Sequence, residues 1–298
     1  MWYRIGAVMV ILLASRITGA QTCSVVPPIY PGDIDQPLDI HGYVESQFKS
    51  QHITPRGLVI ADHGVEIQPV GGLTFDLYHG ESFIKDASAT VGVWNSINSS
   101  LHDPRAGSWF EIDYFARLNL KLANRIDVMT QYIAFDSPGA AFKTDNNLEI
   151  MVSYDDFGLL SRNFAVHPYS RLFYNVSGSS TTLLGRNGNT FDDEFGFIPT
   201  YFVKSIPKYP ITLTLPTYIT VGPKNFWGGS EYVGLFSTSL AAQIPLHIVP
   251  SRLGRWHLDG SVSYFDLLNS KLVDAAQELG NGRDRSRLVL EMGIGFEF

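Results

Sequence analysis

The chain of 298 residues is long enough for one large domain or two modest ones, and it carries a formal net charge of -7. That acidic balance lacks the basic footprint of a nucleic-acid binder and argues against nucleic acid as a partner. With 17% charged residues, 13% aromatic residues and 27 glycines, the composition suits many short strands better than a helical bundle.

Met1–Ala20 has the layout of a secretory signal peptide. Arg4 supplies the basic start, and Ile5 to Ala14 is an apolar run of about ten residues, too short to cross a bilayer. Thr18-Gly19-Ala20 offers small residues for cleavage, so the mature chain is expected to begin at Gln21; a buried amino-terminal helix is the alternative. Loss of Arg4 and Arg16 would make the remainder more acidic. Cys23, the one cysteine, can form no internal disulfide, and Gln21-Thr22 is a poor lead-in for lipid modification, so a free thiol is expected. Residues 21–39, with prolines 27, 28, 31 and 37, read as an extended linker before a domain spanning 40–298.

Side chains alternate across a strand with period two, and that alternation marks about twelve strands. The first, 40–51, sets Tyr43, Glu45, Gln47 and Lys49 against Val44, Ser46 and Phe48. The second, 65–78, alternates Leu73, Phe75 and Leu77, with a bulge expected at Pro69–Gly72; the third covers 87–96. From Trp109 to Leu122 the pattern is clearest, with Phe110, Ile112, Tyr114, Ala116, Leu118, Leu120 and Leu122 opposed to Glu111, Asp113, Phe115, Arg117, Asn119 and Lys121. Ala123-Asn124-Arg125 turns into a fifth strand, 126–135. Six more follow at 147–155, 168–176, 194–203, 210–221, 231–246 and 255–265, and the last runs to Phe298.

The connections alternate in length. One set (52–64, 97–108, 137–146, 177–193, 222–230, 266–285) averages about 13 residues and the other (79–86, 123–125, 156–167, 204–209, 247–254) about seven. Asn269-Ser270 can cap a helix carrying Leu272, Val273, Ala275, Ala276 and Leu279, ended by Gly280. That helix is expected to pack on a rim, with entry into a barrel mouth as the alternative. Trp94, Trp109, Trp227, Tyr232, Trp256 and Tyr264 collect at strand ends, as interfacial girdles would.

The last strand, Arg287–Phe298, puts Leu288, Leu290, Met292, Ile294, Phe296 and Phe298 on one face and Val289, Glu291, Gly293, Gly295 and Glu297 on the other. Glu291, Gly293, Phe296 and Phe298 resemble the terminal assembly signal of bacterial outer-membrane β-barrel proteins. The resemblance implies an antiparallel up-and-down transmembrane barrel of about 12 strands, closed by pairing the last strand with the first. It implies export to the outer membrane of a Gram-negative cell, a periplasmic linker at 21–39, short periplasmic turns and long outer loops. Its partners would be outer-membrane lipid, the barrel-assembly machinery and periplasmic chaperones. A second resemblance rests on Tyr43-Val44, Arg56-Gly57, Val65-Glu66-Ile67-Gln68, Val91-Gly92-Val93-Trp94-Asn95-Ser96, Glu111-Ile112-Asp113-Tyr114 and Asn147-Leu148-Glu149-Ile150. It is similar to the Gcw-type conserved exported proteins of unknown function, which implies the location and no activity.

Catalytic spacing is missing. Lipid-hydrolysing barrels place a serine two residues after a histidine, so that the imidazole can activate the hydroxyl. The nearest approaches, His167-Pro168-Tyr169-Ser170 and His257-Leu258-Asp259-Gly260-Ser261, do not match. Asp155-Asp156 and Asp192-Asp193-Glu194 have no histidine beside them in sequence, and the second lacks the oxygen spacing of a calcium loop and reads as a solvated acidic loop. No enzyme, metal or cofactor is expected. Charges opposite the apolar faces, Glu45, Lys49, Asp76, Glu111, Asp113, Arg117, Lys121, Asp127, Glu149 and Arg171, cannot face lipid cheaply and are expected to line a lumen. The function expected is a narrow, porin-like passive channel for small polar solutes; the alternative is a non-conducting structural or surface-interaction barrel acting through its outer loops.

Overall fold

The first and last strands of the computed structural model hydrogen-bond to each other along their length, which closes the sheet on itself. The structure describes residues 39–101, 107–178, 190–203, 211–227, 231–246 and 248–298. The expected signal peptide, Cys23 and nearly all of the linker lie outside these residues.

Around the wall run β1 (Ile40–Lys49), β4 (Glu66–His79), β5 (Ile84–Asn98), β6 (Trp109–Leu122), β7 (Ile126–Asp136), β8 (Asp145–Tyr154) and β10 (Pro168–Ser177). They continue through β11 (Thr190–Phe197) with β12 (Thr200–Val203), β13 (Ile211–Thr214) with β14 (Thr217–Val221), β15 (Val233–Pro245), β16 (Arg255–Leu267) and β17 (Ser286–Glu297). The eighth and ninth wall strands are each split at a proline, Pro199 or Pro216, which has no N–H for the ladder. Counted through those breaks the wall has twelve antiparallel strands, each paired with its sequence neighbour and the last with the first.

The wall is inverted relative to a water-soluble protein. Outward side chains are apolar and exposed, as with Val44, Leu118, Val152, Leu240, Leu290 and Met292. Inward positions hold Glu45, Gln68, Thr90, Asn119, Gln131 and Ser237, all buried. This is the arrangement of a transmembrane barrel, whose backbone polar groups are all satisfied between strands. Among the described residues no helix is long and apolar enough to cross a membrane. The alternation predicted for β1, β6 and β17 is the one observed, with Glu291 buried and Leu290, Met292 and Ile294 outward.

Several inward aromatics lie flat on the wall over a glycine of the next strand. A Cβ on Gly72 would meet the Tyr43 ring at 2.8 Å, and one on Gly92 would run into the Phe115 ring. In each case the two residues are direct cross-strand partners. The glycine makes room for the ring, which therefore covers the wall and projects less into the interior.

Four local expectations need correction. The bulge of β4 falls between Asp76 and Tyr78, with the β1 register unbroken through Pro69–Gly72. The eighth strand starts at Thr190, so Asp192, Asp193 and Glu194 lie in the wall and form no loop. Trp94 faces inward beside Tyr43, Val70 and Phe115, and Trp227 is fully buried, so neither belongs to an outer girdle. Trp109, Tyr232 and Tyr264 are outward and exposed, and Trp256 stacks on Phe296 at 4.8 Å.

Both ends of the barrel chain lie at one end of the cylinder, here the terminal end, where the turns are short. The long turn 156–167 adds a two-residue strand, β9 (Phe164–Ala165), beside β12. At the other end, the mouth, the connection after β1 folds inward as a hairpin of β2 (His52–Ile53) and β3 (Val59–Ala61). Its turn is closed by the Gly57 N–H donating to the Thr54 carbonyl at 2.9 Å, and the φ of +92° at Gly57 favours glycine. Helix Ser270–Glu278 is capped by the Asn269 side chain, as expected. Leu272, Val273 and Ala276 form one core with Ile53 and Val59 of the hairpin and Leu235, Phe265, Leu267 and Val289 of the inner wall. The helix therefore closes over the mouth and does not lie on the outer rim.

Candidate functional site: the barrel interior and an arginine latch

All ten charged residues expected at the lumen stand on the interior side of the wall. Glu45, Lys49, Asp113, Arg117, Glu149 and Arg171 are buried, and Asp76, Glu111, Lys121 and Asp127 are half-buried nearer the strand ends. Lys49 joins one group, and Arg117, Glu149 and Arg171 another. Lys49 and Glu291 are opposite one another where β1 meets β17, with Nζ 3.4 Å from the carboxylate. Arg117, Glu149 and Arg171 join a row that crosses five wall strands.

The row follows the register. Arg117 donates to Gln131 Oε1 through Nε and Nη2, at 2.8 and 2.6 Å, and Gln131 Nε2 donates to Glu149 Oε2 at 3.2 Å. Arg117 and Glu149 are both direct cross-strand partners of Gln131. Arg171 Nη2 donates to the same Glu149 oxygen at 2.5 Å and stands opposite Glu194, which accepts from the Tyr169 hydroxyl at 2.6 Å. Phe173 lies between Glu149 and Asp192, its two cross-strand partners.

Arg56, from the hairpin tip, completes this row. Its guanidinium covers the Phe173 ring, while Nε donates to Asp192 Oδ1 at 3.3 Å and Nη2 to Glu149 Oε1 at 3.4 Å. Two carboxylates flanking one aromatic face make a socket whose shape matches a planar cation. Burial pushes the Arg56 guanidinium below its ordinary value, against the opposing pull of Asp192 and Glu149. On the hairpin's other flank, His52 Nδ1 is 3.3 Å from Glu66 and 3.2 Å from Ser96 Oγ, with its ring edge-on to Trp94. Burial pushes the His52 imidazole down, with Glu66 opposing. The hairpin is also tied to the helix connection, because Asn281 Nδ2 donates to the Val59 carbonyl at 2.8 Å and Asn281 Oδ1 accepts from the Asp62 N–H at 3.0 Å.

Arg56, His52, Gln131 and Asp192 were absent from the expected lumen set. Thr54-Pro55-Arg56-Gly57 does carry a turn signal that could have announced the hairpin. Asp192 and Glu194 point inward while Asp193 between them accepts from Ser170 Oγ on the other side, so the three cannot share an ion. His167 stands 3.8 Å from Asp156, a closeness the sequence did not show, but that carboxylate is engaged by the Val166 and His167 N–H groups as a turn acceptor.

No protein-family model and no curated protein sequence matches the chain. Among solved structures it is similar to an outer-membrane channel from Pseudomonas putida F1, at 11% identity and a TM-score of 0.51, over 91% of this chain and 100% of that one. A bacterial polysaccharide outer-membrane secretin (9% identity, 87% and 98% covered, TM-score 0.47) and the NanC porin (14%, 86% and 98%, 0.42) fall below the level at which likeness carries an argument. At these identities the likeness concerns the fold.

Proposed function

We propose that the protein is an outer-membrane barrel forming a narrow passive channel for small polar solutes. The observation that carries this reading is the polar, charge-rich interior within an apolar exterior, an arrangement that wets a lumen. The P. putida channel of the same fold supports the class. Both charge signs face the interior, so no anion or cation preference follows. Single-channel recording in a planar bilayer tests it: the purified, folded barrel is expected to give small conductance steps. A barrel that never opens at any holding potential sinks the channel reading.

The core joining hairpin, helix and inner wall at the mouth favours a second reading, a closed barrel acting through its outer surface. The same recording separates the two.

The proposed address includes a cleaved signal at 1–20 and assembly through Glu291, Gly293, Phe296 and Phe298. In support of assembly, Phe298 exchanges two backbone hydrogen bonds with Gly42, at 2.8 and 3.0 Å, extending the closing pair to the last residue. Deletion of Phe298 is expected to lower the amount of barrel in the membrane more than the conductance of the barrels that assemble. Unchanged membrane levels would count against the signal.

A further inference from the structure

A separate cluster of titratable side chains lies at the terminal end of the interior, at the other end of β1 from Lys49. Asp39 and His41 are two residues apart in extended chain, so both fall on the inward side. Asp76 of β4 comes opposite Asp39, and its N–H donates to the Asp39 carbonyl at 3.0 Å. One Asp39 oxygen accepts from the Ile40 N–H at 3.1 Å, which orients that carboxylate. A carboxylate oxygen of Asp39, an imidazole nitrogen of His41 and a carboxylate oxygen of Asp76 all lie within 4.8 Å of one another.

The spacing of His41 and Asp76, an ion pair across β1 and β4, also suits a shared ion. His41 Nε2 and Asp76 Oδ1 are 3.5 Å apart. Hydrogen bonds between such atoms run about 2.7–3.2 Å. Two donors each bonded at about 2.0–2.1 Å to a tetrahedral cation stand roughly 3.4 Å apart. Asp76 Oδ1 is buried and accepts no hydrogen bond among the described residues. The surrounding charge has the sign a cation needs. Asp86 of β5, hydrogen-bonded to His79, adds a third carboxylate nearby. Lys121 of β6 stands opposite Asp86, but it also faces Asp127 of β7.

We propose that Asp39, His41 and Asp76 form a site for a divalent transition cation of the Zn²⁺ type, with three protein ligands and the remaining position open to the interior. The imidazole disfavours Ca²⁺ and Mg²⁺, which prefer all-oxygen shells. Asp39 is exposed, which leaves an access path. The site depends on the β1–β4 register and is independent of whether the barrel conducts.

Titration calorimetry of ZnCl₂ into the untagged, folded full-length barrel in detergent tests the site, with MgCl₂ in parallel. One equivalent of Zn²⁺ is expected to bind, and Mg²⁺ to give no saturable heat. His41→Gln and Asp76→Asn are each expected to weaken binding at least about tenfold, the lower end of what loss of an outer-shell partner alone costs. His63→Ala, an exposed histidine at the mouth, is expected to bind as the unaltered chain does. Heat-modifiable migration identifies folded variants, and two substitutions on different strands guard against loss of one to misfolding. No saturable Zn²⁺ binding, equal binding by both folded ligand variants, or equal weakening by His63→Ala would overturn the proposal.

Discussion

The hairpin around Arg56 and the helix Ser270–Glu278 occupy the same mouth by different chemistry. The helix contributes an apolar stripe, Leu272, Val273 and Ala276, which any greasy surface of matching shape would accept. The hairpin shares that core through Ile53 and Val59, but its tip reaches the wall through a guanidinium seated between two carboxylates. Apolar burial is non-directional and sets how firmly the mouth is filled. The ion pairs are directional and set where the hairpin stops. In the proposed channel, release of Arg56 is expected to widen the interior without unfolding the wall.

Removing the latch is the sharpest way to break this comparison. Arg56→Met keeps an apolar stem over Phe173 but leaves Asp192 buried without its hydrogen-bonded cation, at an expected cost of about 3–5 kcal/mol to hairpin docking. Limited proteolysis is expected to cut near 54–58 faster, with larger conductance steps in the bilayer. Adding Asp192→Asn is expected to recover much of the protection. A hairpin as protected in Arg56→Met as in the parent would show that the apolar core alone holds it.

Leu272→Ala attacks the other chemistry. Emptying a fully buried leucine site costs about 2–5 kcal/mol, felt first by the helix. The urea midpoint is expected to fall and Trp227 fluorescence to change, while the hairpin stays better protected than in Arg56→Met. Equal loss of protection in the two variants would mean that hairpin and helix dock as one body.

The smallest effect is that of pH on His52. Its folded-state pKa lies below the ordinary histidine value of about 6.5, so the undocked hairpin binds more protons than the docked one. Docking is therefore fully favoured above that value and weakens as pH falls through it toward the lower folded value. The protection factors of the hairpin amides, taken relative to the intrinsic exchange rate at each pH, are expected to fall between pH 7.5 and 5.5, and His52→Gln to flatten the dependence. Glu66, Ser96, Lys49 and Trp94 face the imidazole. A dependence of the same size in His52→Gln would place the titrating group elsewhere.

The twelve wall strands were legible because one lipid-type face and one polar face force a period of two over ten or more residues, as in β6 and β17. The helix was legible from Asn269, its apolar spacing and Gly280. The hairpin escaped because strands of two and three residues carry too little pattern to register as strands. The split eighth strand escaped in part because Asp192-Asp193-Glu194 looks like a loop by composition, although its members alternate across the wall.

The interior charges could be assigned to a face from alternation, but their partners could not. Arg56 lies 93 residues from Glu149 and 136 from Asp192, and no local pattern links them. By itself the sequence determined the wall, because strand periodicity is a local property that a membrane barrel writes into each strand. Only the tertiary structure decided what stands inside it: the folded-in hairpin, the helix over the mouth, the latch on Phe173, and the meeting of Asp39, His41 and Asp76. Those depend on strand register and loop closure, which bring distant residues to one point and leave no periodic trace in the chain.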